Sequence, residues 1–487
     1  MYRRPQRPRT LIEAVAVYAV MTLAVVSIAT FIIFFVMGFR FNADDGRIEQ
    51  YAFLQFASSP SGATVTVDGK VVGSKTPNKD SVKPGVHNIV MWRDGYETWS
   101  KTVNLKAGTL TWLNYTLLIP AKLTVEPVAT YQSAYASLAS PDGHYMLIQP
   151  AANAPSYNLV DLSSDSIKTV KLAITKTDYS NSNTKGVSHT FQMIKWDDGG
   201  RYILIKHSYA SQEEWLVLDS QDATLTKNIT QLFNIPIADI DFAGTGGNTF
   251  YVLNQTDIRK LDLSAGTISK PLISHVTNFN TYQSNIITYT GTSATDVNKQ
   301  VIGVYRDGEN SPHVLRTVTD KKAILHVATT HYFNENYIII SNGNKVDVLS
   351  GSYPNSAAEN ATSMKVIASF ASKQDIQNLS FSPTGEYVLA QSGADFTSYD
   401  LEYQTQVSST IAGTGTASLL KWLDDNHIWT DRGGNLFVSE FDGTNGHQIN
   451  PVTVDQDATL IHSGKYIYSI NKSVKGYQLQ RALMILP

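Results

Sequence analysis

The sequence predicts an all-β protein that carries one N-terminal transmembrane α-helix, and three observations support this fold class. An apolar run from Leu11 to Met37 is long enough to cross a bilayer. Residues 57–119 contain short strand-like segments separated by Gly and Pro turn signals. From residue 120 onwards, strand–turn–strand units recur about every 40 to 55 residues, the spacing expected for the four-stranded blades of a β-propeller.

The composition limits the possible classes of protein. The chain has 487 residues, of which 42% are hydrophobic and 17% charged, as in folded proteins. The net charge of −3 argues against the concentrated basic face that binds nucleic acid, so no nucleic-acid partner is predicted. The sequence has no cysteine, which excludes disulfides, thiolate metal sites and cysteine nucleophiles within it.

The N-terminal segment predicts a membrane anchor. Residues 1–10 form a basic tail with four arginines and no acid, and residues 11–38 form the predicted transmembrane helix, in which Glu13 is the only charge. The arginines predict that residues 1–10 are cytoplasmic and that everything after the helix is extracytoplasmic. A cleaved signal peptide is the alternative. The apolar run is too long for one, and its end at residues 31–37 lacks the small residues of a cleavage site.

A small β-sandwich is predicted over residues 57–119, after a linker or strand at residues 39–56. Thr64–Val67 has the composition of a strand, and Asp68-Gly69 is a tight-turn signal. No acid–base pair stands out in this region, where the glycines are expected to be turn residues.

Five ordered elements of this region resemble the PEGA domain. They are Pro60-Ser-Gly-Ala63, with Ser where the family has Glu, then Val65–Lys70, Thr76-Pro77, Pro84–His87 and Asp94–Trp99. PEGA domains occur in bacterial and archaeal envelope and surface proteins. The resemblance therefore implies an extracytoplasmic location and an interaction role, with no catalytic residues to transfer.

Five aromatic residues are close together in the sequence of this region. They are Trp92, Tyr96, Trp99, Trp112 and Tyr115. They could form an aromatic platform for glycans, but the preferred interpretation is that they form the sandwich core and its interface with the following domain.

Residues 120–487 predict an eight-bladed β-propeller. Eight strand–turn–strand units mark the blades, and they are Ser140–Ile148, Lys195–Ile205, Asp241–Val252, Phe279–Tyr289, Tyr332–Ile340, Phe381–Leu389, Lys421–Trp429 and Leu460–Tyr468. The fourth is degenerate, and seven blades are the alternative if it merges with a neighbour. The turns at Ser140–Tyr145 and Ser382–Tyr387 resemble those of TolB-like and dipeptidyl-peptidase-type propellers, which implies the architecture only.

The two ends of this region predict how the ring closes. Ala121–Val128 has strand composition but precedes the first blade, and Gly476–Leu486 is a late strand of the last unit. Pairing these two segments would remove an open sheet edge, which proteins avoid exposing.

The sequence lacks the signatures of catalytic and metal sites. It has no Gly-x-Ser-x-Gly elbow, and its eleven histidines show no metal-binding spacing. The aspartate pairs at Asp44-Asp45, Asp197-Asp198 and Asp424-Asp425 all lie in turn contexts. No catalytic, cofactor-binding or metal-binding residue is therefore predicted, and no cofactor.

The predicted function is that of a single-pass, extracytoplasmic binding or scaffold protein of the cell membrane, not an enzyme. The propeller would be a platform for a protein or cell-envelope ligand. The alternative is a propeller-type enzyme, similar to some glycosidases and lyases, with its site in the central channel. Ligand-binding residues are expected in irregular loops such as residues 175–190, 291–300 and 351–362.

Overall fold

The computed structural model describes residues 11–42, 46–354, 364–411, 418–461 and 464–487, which form two compact units. The first unit contains residues up to Lys122 together with Ile485–Pro487, and the second contains Leu123–Met484.

The first unit begins with helix α1 (Leu11–Val36), where the sequence predicts a helix over residues 11–38. Its segment Glu13–Val36 is long and apolar enough to cross a membrane, and none of it is buried against the rest of the chain. At 26 residues, α1 is about 39 Å long. A reversal at Gly38, which has a φ of +87°, leads into a hairpin of β1 (Phe39–Asn42) and β2 (Arg47–Gln50).

The rest of the first unit is a β-sandwich. A three-stranded sheet contains β3 (Ala52–Ser59) between β6 (Asn78–Val82) and β9 (Leu110–Leu117). The facing sheet has the order β5 (Lys70–Val71), β4 (Thr64–Val67), β7 (Gly85–Trp92) and β8 (Trp99–Leu105). Strand β3 includes residue 57, so the predicted domain start at that residue falls inside the central strand of this sheet.

Alternation along the strands builds the sandwich core. Ala52, Leu54 and Phe56 point inwards from β3, and Ile89 and Met91 do so from β7; all five side chains are fully buried. This period of two is the expected pattern for strands with one face buried.

The second unit contains eight four-stranded antiparallel sheets within the described ranges, numbered I to VIII in chain order. Sheet I contains β11 (Ala136–Ala139), β12 (Tyr145–Gln149), β13 (Ser156–Asp161) and β14 (Lys168–Ala173). Sheet II contains β15 (His189–Trp196), β16 (Tyr202–Tyr209), β17 (Gln212–Asp219) and β18 (Lys227–Asn228), followed by helix α2 (Ile229–Phe233). Sheet III contains β19 (Asp239–Phe242), β20 (Thr249–Asn254), β21 (Asp257–Asp262) and β22 (Thr267–Ile268). Sheet IV contains β23 (Val276–Tyr282), β24 (Ile286–Thr292), β25 (Gln300–Arg306) and β26 (His313–Val318).

The remaining sheets repeat the same meander. Sheet V contains β27 (Leu325–Tyr332), β28 (Glu335–Asn342), β29 (Lys345–Gly351) and β30 (Met364–Ala371). Sheet VI contains β31 (Asn378–Phe381), β32 (Tyr387–Ser392), β33 (Asp395–Asp400) and β34 (Thr405–Thr410). Sheet VII contains β35 (Lys421–Trp422), β36 (His427–Asp431), β37 (Asn435–Glu440) and β38 (His447–Pro451). Sheet VIII contains β39 (Ala458–Ile461), β40 (Tyr466–Ser473), β41 (Gly476–Leu483) and β10 (Thr124–Tyr131).

Consecutive sheets pack face to face through buried apolar clusters. Separate clusters join sheets VIII and I, I and II, and each following pair up to VI and VII. Sheets VII and VIII are joined by polar contacts, including a 2.7 Å hydrogen bond from the Asn450 amide to the Ser469 hydroxyl. This repetition of four-stranded sheets is the architecture of a β-propeller.

Sheet VIII joins the two ends of the second unit. Strand β10 pairs antiparallel with β41, from Thr124 opposite Leu483 to Tyr131 opposite Tyr477. The predicted pairing of these two segments is confirmed, although β10 begins three residues later than the predicted strand at Ala121.

Each predicted strand–turn–strand unit contains the turn between the first two strands of one sheet and the beginning of the second strand, but most units begin only at the end of the first strand or after it. The degenerate fourth unit forms sheet IV, with its own four strands. In the Ser-Pro turns, the serine hydroxyl accepts a hydrogen bond from the backbone N–H of the tyrosine five residues later. The distance is 2.9 Å for Ser140 and Tyr145 and 3.1 Å for Ser382 and Tyr387. The serine therefore stabilises the turn that joins the two strands.

Candidate functional site

The first strands of sheets IV, V and VI line a cavity of 460 Å³. Its size is within the range of small-molecule sites. Asparagine and glutamine side chains form much of the lining, together with threonine and serine hydroxyls. The amide-bearing residues are Asn278, Asn280, Gln377 and Asn378, and Tyr282 and Phe381 add two aromatic rings. No Asp, Glu, Lys or Arg is among the described residues of this lining.

Only part of the polar lining is used in bonds within the protein. The Asn280 amide donates to the Val327 carbonyl at 3.1 Å, and the Asn378 amide donates to the Leu420 carbonyl at 3.0 Å. In both cases the side-chain NH₂ is engaged, and the bond links neighbouring sheets. The Thr288 hydroxyl is buried and has no hydrogen-bond partner in the described structure. The cavity thus presents mainly amide and hydroxyl groups held in place by the sheets, together with the imidazole of His326, whose Nε2 lies 3.0 Å from the Ile376 carbonyl oxygen.

A second cavity, of 540 Å³, lies where the first strands of sheets VII and VIII meet the turn of sheet I. Titratable groups meet here, and they are already paired. Lys421 Nζ lies 3.2 Å from Asp457 Oδ1, and the other oxygen of Asp457 accepts a 3.1 Å bond from the Ala139 N–H. Asp425 accepts a 2.9 Å bond from the Thr384 N–H. These contacts link sheet VII to sheets VIII and VI, and sheet VIII to sheet I.

The predicted loop at residues 175–190 covers a buried chain of titratable side chains in sheet II. His207 Nδ1 lies 2.8 Å from Glu214 Oε1, and His207 Nε2 lies 2.9 Å from His189 Nδ1. His207 is fully buried, Glu214 is 1% exposed, and His189 is half-buried at the rim. The three side chains form a carboxylate–imidazole–imidazole relay, named here the Glu–His–His relay.

The hydrogen-bond directions in this relay follow from the charge on Glu214. Burial alone would raise the pKa of Glu214, but hydrogen bonds from His207, Asn228 and Ser180 hold it below its usual value. Ionised Glu214 can only accept, so His207 donates to it from Nδ1. Burial lowers the pKa of His189; the neighbouring His207 lowers it further, and Glu214 partly opposes both. His189 is therefore neutral at pH 7.

The loop is held onto the relay by Tyr179 and Ser180. The Ser180 N–H and hydroxyl both donate to Glu214, at 2.8 and 2.7 Å, and the Tyr179 ring packs edge-on against the His207 ring at 5.1 Å. The sequence offers one indication of this cluster, which is the pairing of His207 with Glu214 across the tight hairpin of β16 and β17. It does not indicate that His189 or Ser180 joins them.

The structure describes some of the predicted aspartate pairs and loops, and others lie outside the described residues. Asp197 accepts bonds from the Arg201 and Tyr202 N–H groups, and Asp424 accepts them from Asn426 and His427, which are turn contacts as the sequence indicated. Of the predicted loop at residues 291–300, residues 293–299 form the connection between β24 and β25, and the rest belong to those strands. Asp44-Asp45 and most of residues 351–362 lie outside the described residues. Within the described ranges, no group of three His, Asp or Glu side chains is arranged to hold a metal ion.

The aromatic cluster of the sandwich divides into buried and exposed members. Trp99 and Tyr96 are in the core, and Tyr115 packs against it, as predicted. The prediction is wrong for Trp92 and Trp112, which are 43% and 37% exposed. They project outwards from different sheets of the sandwich, and they therefore do not form one platform.

Comparison with known proteins identifies one domain of the chain. Residues 53–119 match the family model of the PEGA domain. No curated protein matches the chain.

Among solved structures, the β-propeller domain of Myceliophteria thermophila Cps50 (Swd1) is similar at 13% identity and a TM-score of 0.38, covering 68% of this chain and 100% of that one. Apo AztD from Citrobacter koseri is 9% identical with a TM-score of 0.40, covering 82% and 96%. An oligogalacturonate lyase from Vibrio parahaemolyticus is 8% identical with a TM-score of 0.35, covering 74% and 97%.

Proposed function

We propose that this chain is a single-pass membrane protein whose extracytoplasmic part binds a carbohydrate segment of the cell envelope. The proposal includes a cytoplasmic N-terminus, an uncleaved α1 and an eight-bladed propeller of the TolB-like or dipeptidyl-peptidase type. It treats the chain as a binding protein and not as an enzyme.

The anchor is supported by α1 and by the arginines before it. Helix α1 exceeds the roughly 20 apolar residues needed to span the hydrocarbon of a bilayer. Four arginines precede it in the sequence, which favours a cytoplasmic N-terminus. The PEGA domain agrees with an extracytoplasmic location, since the resemblance implies envelope or surface proteins.

The neutral cavity of sheets IV, V and VI is the observation that carries the choice of ligand. Amides and hydroxyls can exchange hydrogen bonds with the many hydroxyls of a sugar, and Tyr282 and Phe381 offer ring faces to its C–H groups. A charged ligand would lose its hydration shell in this cavity, and no Asp, Glu, Lys or Arg of the described lining would offer it a counter-ion. Binding is favoured over catalysis because the carboxylates of the second cavity are already paired.

Asn278 provides the test. Its side chain lines the cavity and has no hydrogen bond to the rest of the described protein, so Asn278→Ala leaves the sheet contacts intact. With full-length protein in detergent and soluble oligosaccharides prepared from the cell envelope, calorimetry should show binding that Asn278→Ala weakens about three- to tenfold, the effect of one hydrogen bond. Asn248→Ala, at an exposed turn in sheet III, is the matched control.

Two results would contradict the proposal. The first is the absence of binding to any envelope oligosaccharide, combined with capture of a protein that Asn278→Ala does not affect. The second concerns location: residues after α1 should be degraded by protease added to intact cells, and their full protection would refute the proposed orientation.

A further inference from the structure

The hairpin of β1 and β2 folds back alongside the end of α1, and together they form an apolar groove. On the helix the groove is lined by Val26, Phe31 and Phe34, and on the hairpin by Phe39, Phe41 and Ile48. Phe34 and Phe39 pack edge to face at 5.1 Å. On β2, the Gln50 amide donates to the Met37 carbonyl at 2.9 Å, which fixes the hairpin to the end of the helix.

The outer surface of the hairpin is also apolar. Phe41 and Ile48 are cross-strand partners, and each is 69% exposed. Paired apolar side chains this exposed are unfavourable in water, because the transfer of apolar surface out of water is favourable. The groove and the hairpin are continuous with the uncovered apolar surface of α1, so the hydrocarbon of one bilayer would cover all three.

Two arginines mark the polar edge of this surface. Arg40 lies 3.9 Å from the centre of the Phe35 ring and donates to the Phe35 carbonyl at 2.7 Å, and Arg47 is exposed on β2. Arginines beside aromatic rings are typical of the boundary between acyl chains and headgroups, where the guanidinium can meet lipid phosphates.

The length of α1 agrees with a position of the hairpin at the boundary between acyl chains and headgroups. The hydrocarbon core needs about 20 helical residues, and α1 has 26. The surplus of the helix, which ends at Phe35 and Val36, would therefore lie at one boundary, where the hairpin folds back.

We infer that the hairpin of β1 and β2 is a second membrane contact, which lies at the boundary of the bilayer and holds lipid acyl chains in the groove against α1. The inference depends on the proposed anchor. It assigns a lipid partner to a surface outside the spanning helix.

The absence of cysteine from the sequence makes a direct test possible, because each introduced cysteine is the only label site. Four full-length variants would carry a nitroxide: Phe41→Cys and Ile48→Cys on the hairpin, Val25→Cys within α1, and Val86→Cys, which is 67% exposed on the sandwich, as the aqueous control. All four side chains are exposed, so labelling leaves the core intact. The variants are reconstituted into liposomes of phosphatidylcholine with phosphatidylglycerol.

Power-saturation measurements then compare oxygen, which concentrates in lipid, with a water-soluble nickel complex. The expected ratio of oxygen to nickel accessibility is highest at Val25, intermediate at Phe41 and Ile48, and lowest at Val86. Hairpin labels as aqueous as Val86, with Val25 in lipid, would overturn the inference and leave the anchor standing. Spin–spin broadening at the hairpin would also overturn it, since a second copy would then fill the groove. An aqueous Val25 would refute the anchor itself.

Discussion

Removing the carboxylate of the Glu–His–His relay should destabilise the second unit and release its covering loop. In Glu214→Ala, the buried Nδ1–H of His207 loses its acceptor, which costs about 1–3 kcal/mol. The N–H and hydroxyl of Ser180 lose their acceptors too, at about 1 kcal/mol each. The free energy of unfolding should therefore fall by about 3–5 kcal/mol.

The adjacent Glu213 is a matched control. It lies on the exposed side of β17 and forms a 2.8 Å ion pair with Lys206, with the two side chains 48% and 24% exposed. Because exposed ion pairs contribute little, Glu213→Ala should lower the free energy of unfolding by less than about 1 kcal/mol.

Two assays of the full-length variants in detergent measure this difference. Urea denaturation compares the free energies of unfolding, and limited trypsin digestion reports on the loop through Lys176 and Lys185. Glu214→Ala should be cut in the loop faster than the native chain, and Glu213→Ala should not. Equal stability and equal cleavage of the two variants would refute the role assigned to the relay.

Three further predictions concern pH, the turns and the sandwich core. The free energy of unfolding should fall as the pH drops below about 6.5, because the pKa of His189 is lowered in the folded chain and the unfolded chain therefore binds the proton first. Midpoints of urea denaturation measured against pH test this. The same pH dependence in His189→Gln would contradict it. Gly385→Ala should cost more than about 2 kcal/mol, because φ is +86° and the new methyl group would lie 2.3 Å from a threonine hydroxyl of sheet V. Gly393→Ala, at a φ of +66° with open space around it, should cost only about 1–2 kcal/mol in thermal melting, and equal effects would argue against the close contact. Trp99→Ala should cost about 3–5 kcal/mol in urea denaturation, whereas the partly exposed Trp112 should tolerate alanine at less than about 1.5 kcal/mol; a similar loss for both would contradict the burial described.

The repeat of the second unit was predictable because its signal is local. A Ser-Pro turn with glycine and tyrosine at fixed positions forms its hydrogen bonds within a few residues, as at Ser140 and Ser382. Even the degenerate unit at Phe279–Tyr289 forms the first hairpin of sheet IV.

The candidate sites were not predictable because they depend on contacts between distant segments. The cavity draws its amides from sheets IV and VI, with Asn278 and Asn378 about one hundred residues apart in sequence. In the relay, His189 meets His207 only because of the register between β15 and β16. Composition and the spacing of motifs do not predict which residues of β15 and β16 lie opposite each other.

The exposure of Trp92 could have been inferred from alternation. Met91 is in the core, so the next residue of β7 must point outwards. Clustering of aromatic residues in the sequence does not determine their burial, whereas the period of the strand does.

The pairing of β10 with β41 also sets the order of events when the protein is made. Strand β10 leaves the ribosome long before its partner exists, because more than three hundred residues separate them. At ordinary rates of synthesis the wait is on the order of tens of seconds, during which an unpaired strand edge stays exposed. A ribosome that stalls before residue 476 therefore leaves a product in which β10, the edge strand of sheet VIII, has no partner strand.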